Sequence, residues 1–143
     1  MTNTADRLVP ELAESQSQLA SSRRGKAKTS GDAAELAVAR WLEAHGLTLL
    51  EHQYNVPRLG ELDLVMRRGN CLYFIEVKAR SDLDRFGGGL AAITATKLRK
   101  LRKTALHYCQ KTGAMNLDMR FLAAEVALSG GQPQGPIHIV PME

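Results

Sequence analysis

An α/β domain, with a central mixed sheet flanked by helices, is the fold class that the sequence predicts. Three observations predict it. Two segments, 29–45 and from Ala91 or Thr94 to Lys111, repeat apolar residues at helical spacing. Two others, 61–66 and 71–78, alternate their side chains with the period of a strand. Between those strands Arg67-Arg68-Gly69-Asn70 carries the Gly/Asn chemistry of a tight hairpin turn. In order, the chain should form a helix, a three-stranded antiparallel meander, a crossover helix, and one or two further strands.

Length and composition allow one domain with a real core. The 143 residues include 44% hydrophobic and 24% charged side chains, ordinary for a soluble globular protein. Aromatic content of 5% argues against a surface of base-stacking rings. Net charge +4 and pI near 9.3 tilt the chain towards polyanions. No run reaches the ~18 apolar residues of a membrane span. The start lacks the basic and apolar regions of a signal peptide, so a cytoplasmic protein is expected. Cys71 and Cys109 lack metal-site spacing and read as free thiols of a reducing compartment.

Residues 1–28 read as a flexible tail. Ser15-Gln16-Ser17-Gln18 and Arg23-Arg24-Gly25-Lys26-Ala27-Lys28 offer little apolar surface to offset ordering entropy. The basic end is either a solvated linker or an arm that touches nucleic-acid backbone. Order should begin near Thr29 or Ser30, which can cap a helix that Gly46 ends. Ala34, Ala37, Val38, Trp41 and Leu42 form its core face, with Glu35 on the flank. Leu47 to Asn55 is the first strand, halted by Val56-Pro57.

The second helix, ending near Lys111, buries Leu98, Leu101, Ala105, Tyr108 and Cys109. Between Lys97 and Lys103 it carries five cations, Lys97, Arg99, Lys100, Arg102 and Lys103, and no acid. Such a run is either a solvated helix face or a phosphate-contacting one. Arg120 to Leu128 is a later strand, 130–136 a turn, and Ile137 to Val140 an edge strand. The loop holding Gly87-Gly88-Gly89 either shapes substrate access or merely connects. None of His45, His52, His107 and His138 pairs at metal-ligand spacing.

The chemistry concentrates in Gly60-Glu61-Leu62-Asp63-Leu64-Val65 and Phe74-Ile75-Glu76-Val77-Lys78-Ala79-Arg80. Glu76 and Lys78 share a strand face, and a hairpin would bring Asp63 back towards Glu76. Two converging carboxylates repel unless a proton or cation sits between them. Oxygen ligands of this kind suit Mg²⁺, and a lysine beside them can orient or deprotonate a water. The bland alternative is a weak surface ion pair between Glu76 and Lys78. Against it stands the apolar company of Phe74, Ile75 and Val77, which makes the strand look buried. By parity Glu61 and Asp63 share a face, and so do Leu62, Leu64 and Met66.

These two motifs resemble the YraN-like family (uncharacterised protein family 0102). It comprises small bacterial proteins similar to the PD-(D/E)XK nucleases and, among them, to archaeal Holliday-junction resolvases. The resemblance covers residues 29–109 and includes Gly31, Glu35, Asn55, Arg85-Phe86-Gly87, Thr94 and Lys97. It implies a restriction-endonuclease-like core over residues 29–143 and a metal-dependent DNA endonuclease of resolvase type. The same resemblance assigns Asp63, Glu76 and the Val77 carbonyl to Mg²⁺, or Mn²⁺ in its place. Lys78 would orient the attacking water, and Glu35 would be a third carboxylate rather than an ordinary flank residue. Arg80 and the helix cations Lys97, Arg99, Lys100, Arg102 and Lys103 would contact the nucleic acid. Where the family usually has an Asp after the Phe of the later strand, this chain has Leu122. Symmetric cutting of a junction would need two sites, which makes a homodimer attractive. The rival readings are a non-catalytic nucleic-acid-binding module that keeps the fold, and an adaptor for a protein partner.

Overall fold

The computed structural model describes residues 30–81 and 95–142. The expected tail, the capping side chains of Thr29 and Ser30, and the 85–89 loop with Thr94 lie outside the described residues. The elements are α1 (Ser30–Ala44), β1 (Thr48–Val56), β2 (Gly60–Arg68), β3 (Cys71–Ser81), α2 (Ala95–Thr112), β4 (Asp118–Ser129) and β5 (Gln132–Pro141). The five strands form one sheet in sequence order. Only the β3–β4 pair is parallel; the rest are antiparallel. A parallel neighbour needs a crossover, and α2 lies on that connection. The result is the mixed α/β sheet expected, with a helix on each face, compatible with a restriction-endonuclease-like core. No helix among the described residues is long and apolar enough to cross a membrane.

Each face of the sheet has its own core. On one, α1 buries Ala34, Val38, Trp41 and Leu42 against Leu64, Met66, Tyr73, Ile75, Leu122 and Ala124. On the other, α2 buries Leu101, Ala105, Tyr108 and Cys109 against Leu62, Val65, Phe74 and Phe121. Tyr108 meets the edges of Tyr54 and Phe74, with ring centroids 5.1 and 6.2 Å apart. Both cysteines are free thiols. Burial raises each above its ordinary pKa.

Helix ends follow the glycine expectation. Gly46 takes φ 95°, and the Leu47 N–H reaches the Leu42 carbonyl at 3.1 Å, so the last carbonyls of α1 are satisfied. Two sequence expectations fail, each for a local reason. The segment 130–136 is not all turn: Gly130 and Gly131, both at positive φ, make a two-residue hairpin turn, and β5 already begins at Gln132. The prolines that suggested a longer turn are tolerated because β5 is an edge strand, irregular where the register shifts between Val126 and Ala127.

The second failure concerns parity. Leu62 packs on the α2 side, whereas Leu64 and Met66 pack on the α1 side. In β1, Tyr54 pairs with Leu62 and His52 with Leu64, which puts Gln53, at φ 59°, opposite Asp63. A left-handed residue in an extended strand rotates the chain and reverses the alternation.

Gly60 fixes how α2 approaches this kink. A Cβ at position 60 would lie 2.6 Å from the Thr104 Oγ1, and the backbone there has φ 157°. Thr104 is itself buried, its hydroxyl donating to the Lys100 carbonyl at 2.9 Å. Gly60→Ala should therefore lower stability by roughly 1–3 kcal/mol, the range for overpacking a tight contact. Denaturant melts should show the loss partly restored by Thr104→Ala and not by Thr104→Ser, which keeps the hydroxyl.

Candidate active site

The hairpin brings Asp63 and Glu76 together. β2 pairs with β3 from Arg68 and Cys71 as far as Leu64 and Ile75, and the next step of that register sets Asp63 opposite Glu76. There the backbone ladder gives way to a side chain: the Val77 N–H donates to Asp63 Oδ2 at 2.8 Å. Glu76 is 8% exposed, although it is a carboxylate in mid-strand. Leu72, Phe74, Glu76, Lys78 and Arg80 share the α2 face by strand parity, and Cys71, Tyr73 and Ile75 the α1 face. Lys78 and Arg80 are half-buried.

A cleft of about 220 Å³ opens between the start of β2 and the first turns of α2. Its sheet side is Gly60, Glu61, Asp63 and Glu76; its helix side is Lys97, Lys100, Leu101 and Thr104. Glu61 is exposed at the rim, while Asp63 lies deeper, which separates two acids that parity alone could not. Lys97 Nζ reaches Glu76 Oε2 at 2.6 Å. Of the other helix cations, Arg99, Arg102 and Lys103 do not line the cleft. Arg99 contacts the Thr96 hydroxyl at 3.4 Å, and Arg102 lies over the Phe121 ring at 5.8 Å.

The electrostatics are those of carboxylates short of positive charge. Burial pushes the Asp63 carboxyl up to about 7, and the neighbouring Glu76 and Glu35 charges add to it; the Val77 N–H opposes them. Burial pulls Lys97 down, but the Glu76 contact and the Asp63 charge reverse this and leave it above its ordinary value.

Glu35 belongs to a different group of side chains. His52 Nε2 meets its carboxylate at 2.8 Å and Gln53 Nε2 donates to it at 3.0 Å; Gln53 also donates to Asp32 at 2.6 Å. One ligand atom each from Asp32, Glu35 and His52 lies within 4.8 Å of the others. Desolvation raises the Glu35 carboxyl above its usual range. The linear spacing of histidines gave no sign of this contact. His52 and Glu35 are seventeen residues apart, and the meeting depends on the Gln53 kink.

Glu125 is the other residue that the sequence did not flag. It is fully buried in β4, on the site face by parity, with Lys78 beside it in β3 and His138 in β5. A Glu two before Ala127 in an apolar run was the available signal. Leu122, by contrast, packs in the α1-side core, on the face away from Glu76 and Lys78.

The uncharacterised protein family UPF0102 has a family model that matches residues 34–126. Several proteins named UPF0102 protein are similar to the chain. One from Methylococcus capsulatus is 46% identical over 93 residues, which cover 63% of this chain and 74% of that protein. One from Legionella pneumophila strain Corby is 47% identical over 57% of this chain and 67% of its own length. One from Nitrosomonas europaea is 48% identical over 57% and 68%.

The raised Asp63 carboxyl fixes a pH response of the metal-free protein. Between about 4, where an unfolded aspartate titrates, and about 7, the folded chain holds a proton that the unfolded chain has lost. Stability therefore falls as pH rises through that window and levels off above it. Asp63→Asn keeps an acceptor for the Val77 N–H without the titration. In melts from about pH 5 to about pH 8, its melting temperature should gain steadily on wild type. A gap independent of pH would contradict the assignment.

Proposed function

The chain belongs to the uncharacterised protein family UPF0102, and from the site its fold assembles we propose that it is a Mg²⁺-dependent DNA endonuclease of resolvase type, hydrolysing phosphodiester bonds. The observation that carries this reading is the convergence of Asp63 and Glu76 where the β2–β3 ladder ends, in a cleft beneath a cationic helix; Lys78 shares their strand face by parity without lining the cleft. A buried and a half-buried carboxylate, the latter pushed to about 7, form a donor set that suits a divalent cation. Mn²⁺ satisfies the same donors.

In this mechanism Asp63, Glu76 and the Val77 carbonyl would hold the cation, and Glu35, held by His52 and Gln53 in a neighbouring group, would add its negative charge to the site from there. A bound divalent cation supplies Lewis acidity, lowering the pKa of water and neutralising charge that develops on phosphorus oxygens. Lys78, on the same face as Glu76, would orient the attacking water as an ammonium donor and balance charge on the phosphate. Buried Glu125, its neighbour in register, favours a fixed Lys78 ammonium over a swinging one. Lys97 and Lys100 meet the phosphates in the cleft. Arg80 and the outer cations Arg99, Arg102 and Lys103 hold the backbone on either side. Such contacts position a duplex without reading its bases, so selectivity would come from the shape of the nucleic acid.

A binding module that keeps the fold without catalysis is the second reading, favoured by the Lys97 ammonium that compensates Glu76 at 2.6 Å. Labelled linear, single-stranded, flapped and four-way-junction DNA, and RNA, incubated with Mg²⁺, Mn²⁺ or EDTA, separate the two. The nuclease reading expects metal-dependent cleavage that Asp63→Asn abolishes. Lys78→Ala should lower turnover by about 10²-fold or more, the scale of one acid–base group, with metal affinity little changed. Tight, salt-sensitive binding by wild type and Asp63→Asn alike, with no cleavage by either, would establish the module instead.

A further inference from the structure

We propose that Lys97 is an internal counter-cation that competes with the metal for Glu76 and is released to a substrate phosphate when the metal binds. The proposal rests on the nuclease reading of the site, and it gives Lys97 a role apart from the other cations of α2.

Three observations carry it. The first is the contact itself. Lys97 Nζ lies 2.6 Å from Glu76 Oε2, a carboxylate side chain 9% exposed, while the lysine side chain is 36% exposed. A charge-assisted bond to a nearly buried carboxylate is among the stronger polar contacts a protein makes. It also occupies a lone pair that a metal would need.

The second is where Lys97 sits in its helix. It lies in the first turn of α2, which begins at Ala95 and has no acid in that turn. The positive end of a helix disfavours a cation. Glu76 supplies the attraction that offsets this, so Lys97 is placed for the carboxylate and not for the helix. The third is the comparison with Lys100. Lys100 lines the same cleft one turn on, is exposed, and packs its backbone carbonyl against Thr104. Lys97 alone of the helix cations has a carboxylate of the cleft within ion-pair distance among the described residues.

The chemistry follows from lysine rather than arginine. An ammonium is a compact point charge on a flexible four-carbon stem. It can leave a carboxylate for a phosphate oxygen a few ångströms away without rebuilding the helix. Metal and substrate then bind in an order: the metal displaces Lys97, and the displaced ammonium adds one phosphate contact. With the ion pair closed, only the open fraction of the protein can receive metal, and the apparent affinity is reduced by that fraction.

The test titrates Mn²⁺ into the full chain by calorimetry, without nucleic acid. It compares wild type with Lys97→Met and with Lys100→Met, which removes an equal charge from the same cleft. Lys97→Met should bind Mn²⁺ about tenfold more tightly than wild type, as for a pair closed about nine-tenths of the time, and Lys100→Met within about threefold of it. Equal gains in the two variants, or no gain in Lys97→Met, overturn the proposal. So does the absence of Mn²⁺ binding in all three.

A second measurement tests the release. With Ca²⁺ present in place of Mg²⁺, the salt dependence of duplex binding should be steeper for wild type than for Lys97→Met by about one phosphate contact, a slope of ~0.9. Without divalent cation the slopes should coincide; a difference there overturns the release. Tighter Mn²⁺ binding by Lys97→Met without cleavage of any substrate sinks the nuclease reading and leaves the competition standing. Cleavage with equal Mn²⁺ affinities does the reverse.

Discussion

The hydrogen bond from the Val77 N–H to the Asp63 carboxylate is the constraint on which the rest depends. Up to Leu64 and Ile75 the two strands satisfy each other backbone to backbone. A buried N–H left unpaired beyond that point would cost about as much as a lost hydrogen bond. A carboxylate takes the place of the missing carbonyl, so the strands can separate without leaving a donor stranded. The separation admits a cleft, and the group that makes it tolerable is one of the acids that line it. Position 63 thus answers to strand geometry and to charge together. An alanine there would disturb both, and asparagine only the second.

The kink at Gln53 has the same cause seen from the other side. With Gln53 at φ 59°, β1 turns His52 towards α1 and Tyr54 towards α2. A non-glycine residue at positive φ is strained unless the surroundings hold it. Here its side chain donates to both Asp32 and Glu35, which ties the first turns of α1 to the same point in the sheet. The Glu35 charge then adds to the field at Asp63 although the two side chains belong to different clusters. Burial, Glu76 and Glu35 all press the Asp63 carboxyl towards neutrality, and Lys97 answers the Glu76 charge by direct contact. A site balanced in this way pairs a carboxyl pressed towards neutrality with an ammonium, where a divalent ion would supply both positive charges.

Much of this was legible in the chain. The period-two run from Cys71 to Lys78 put Glu76 and Lys78 on one face, and Gly69 set the turn that returns Asp63 to Glu76, because both signals are local. The helix stripes named Trp41, Leu42, Leu101, Ala105 and Tyr108, all of them buried. What the chain did not reveal depends on single dihedrals and distant contacts. Parity misassigned Leu62 because it assumes an unbroken strand, and nothing in Gln53 as a residue type announces a left-handed conformation. The Lys97–Glu76 pair bridges twenty-one positions of sequence and depends on how α2 docks. Charge clustering located Lys97 on a basic face without distinguishing it from its neighbours.

That docking is set where the cleft begins. Thr104 seats against Gly60 with no room for a Cβ between them, and one helical turn earlier lies Lys100, two turns earlier Lys97. The i, i+3, i+7 spacing lines these side chains along one edge of the helix. Fixing Thr104 against the start of β2 therefore fixes the approach of Lys97 to Glu76. Leu101 and Ala105, on the adjacent stripe, supply the apolar burial that holds the contact closed. The glycine before the acids and the cation above them are in this sense one device. A side chain at position 60 would push the helix outward, and the first consequence, ahead of any loss of core packing, would be a longer reach from Lys97 to the carboxylate beneath it.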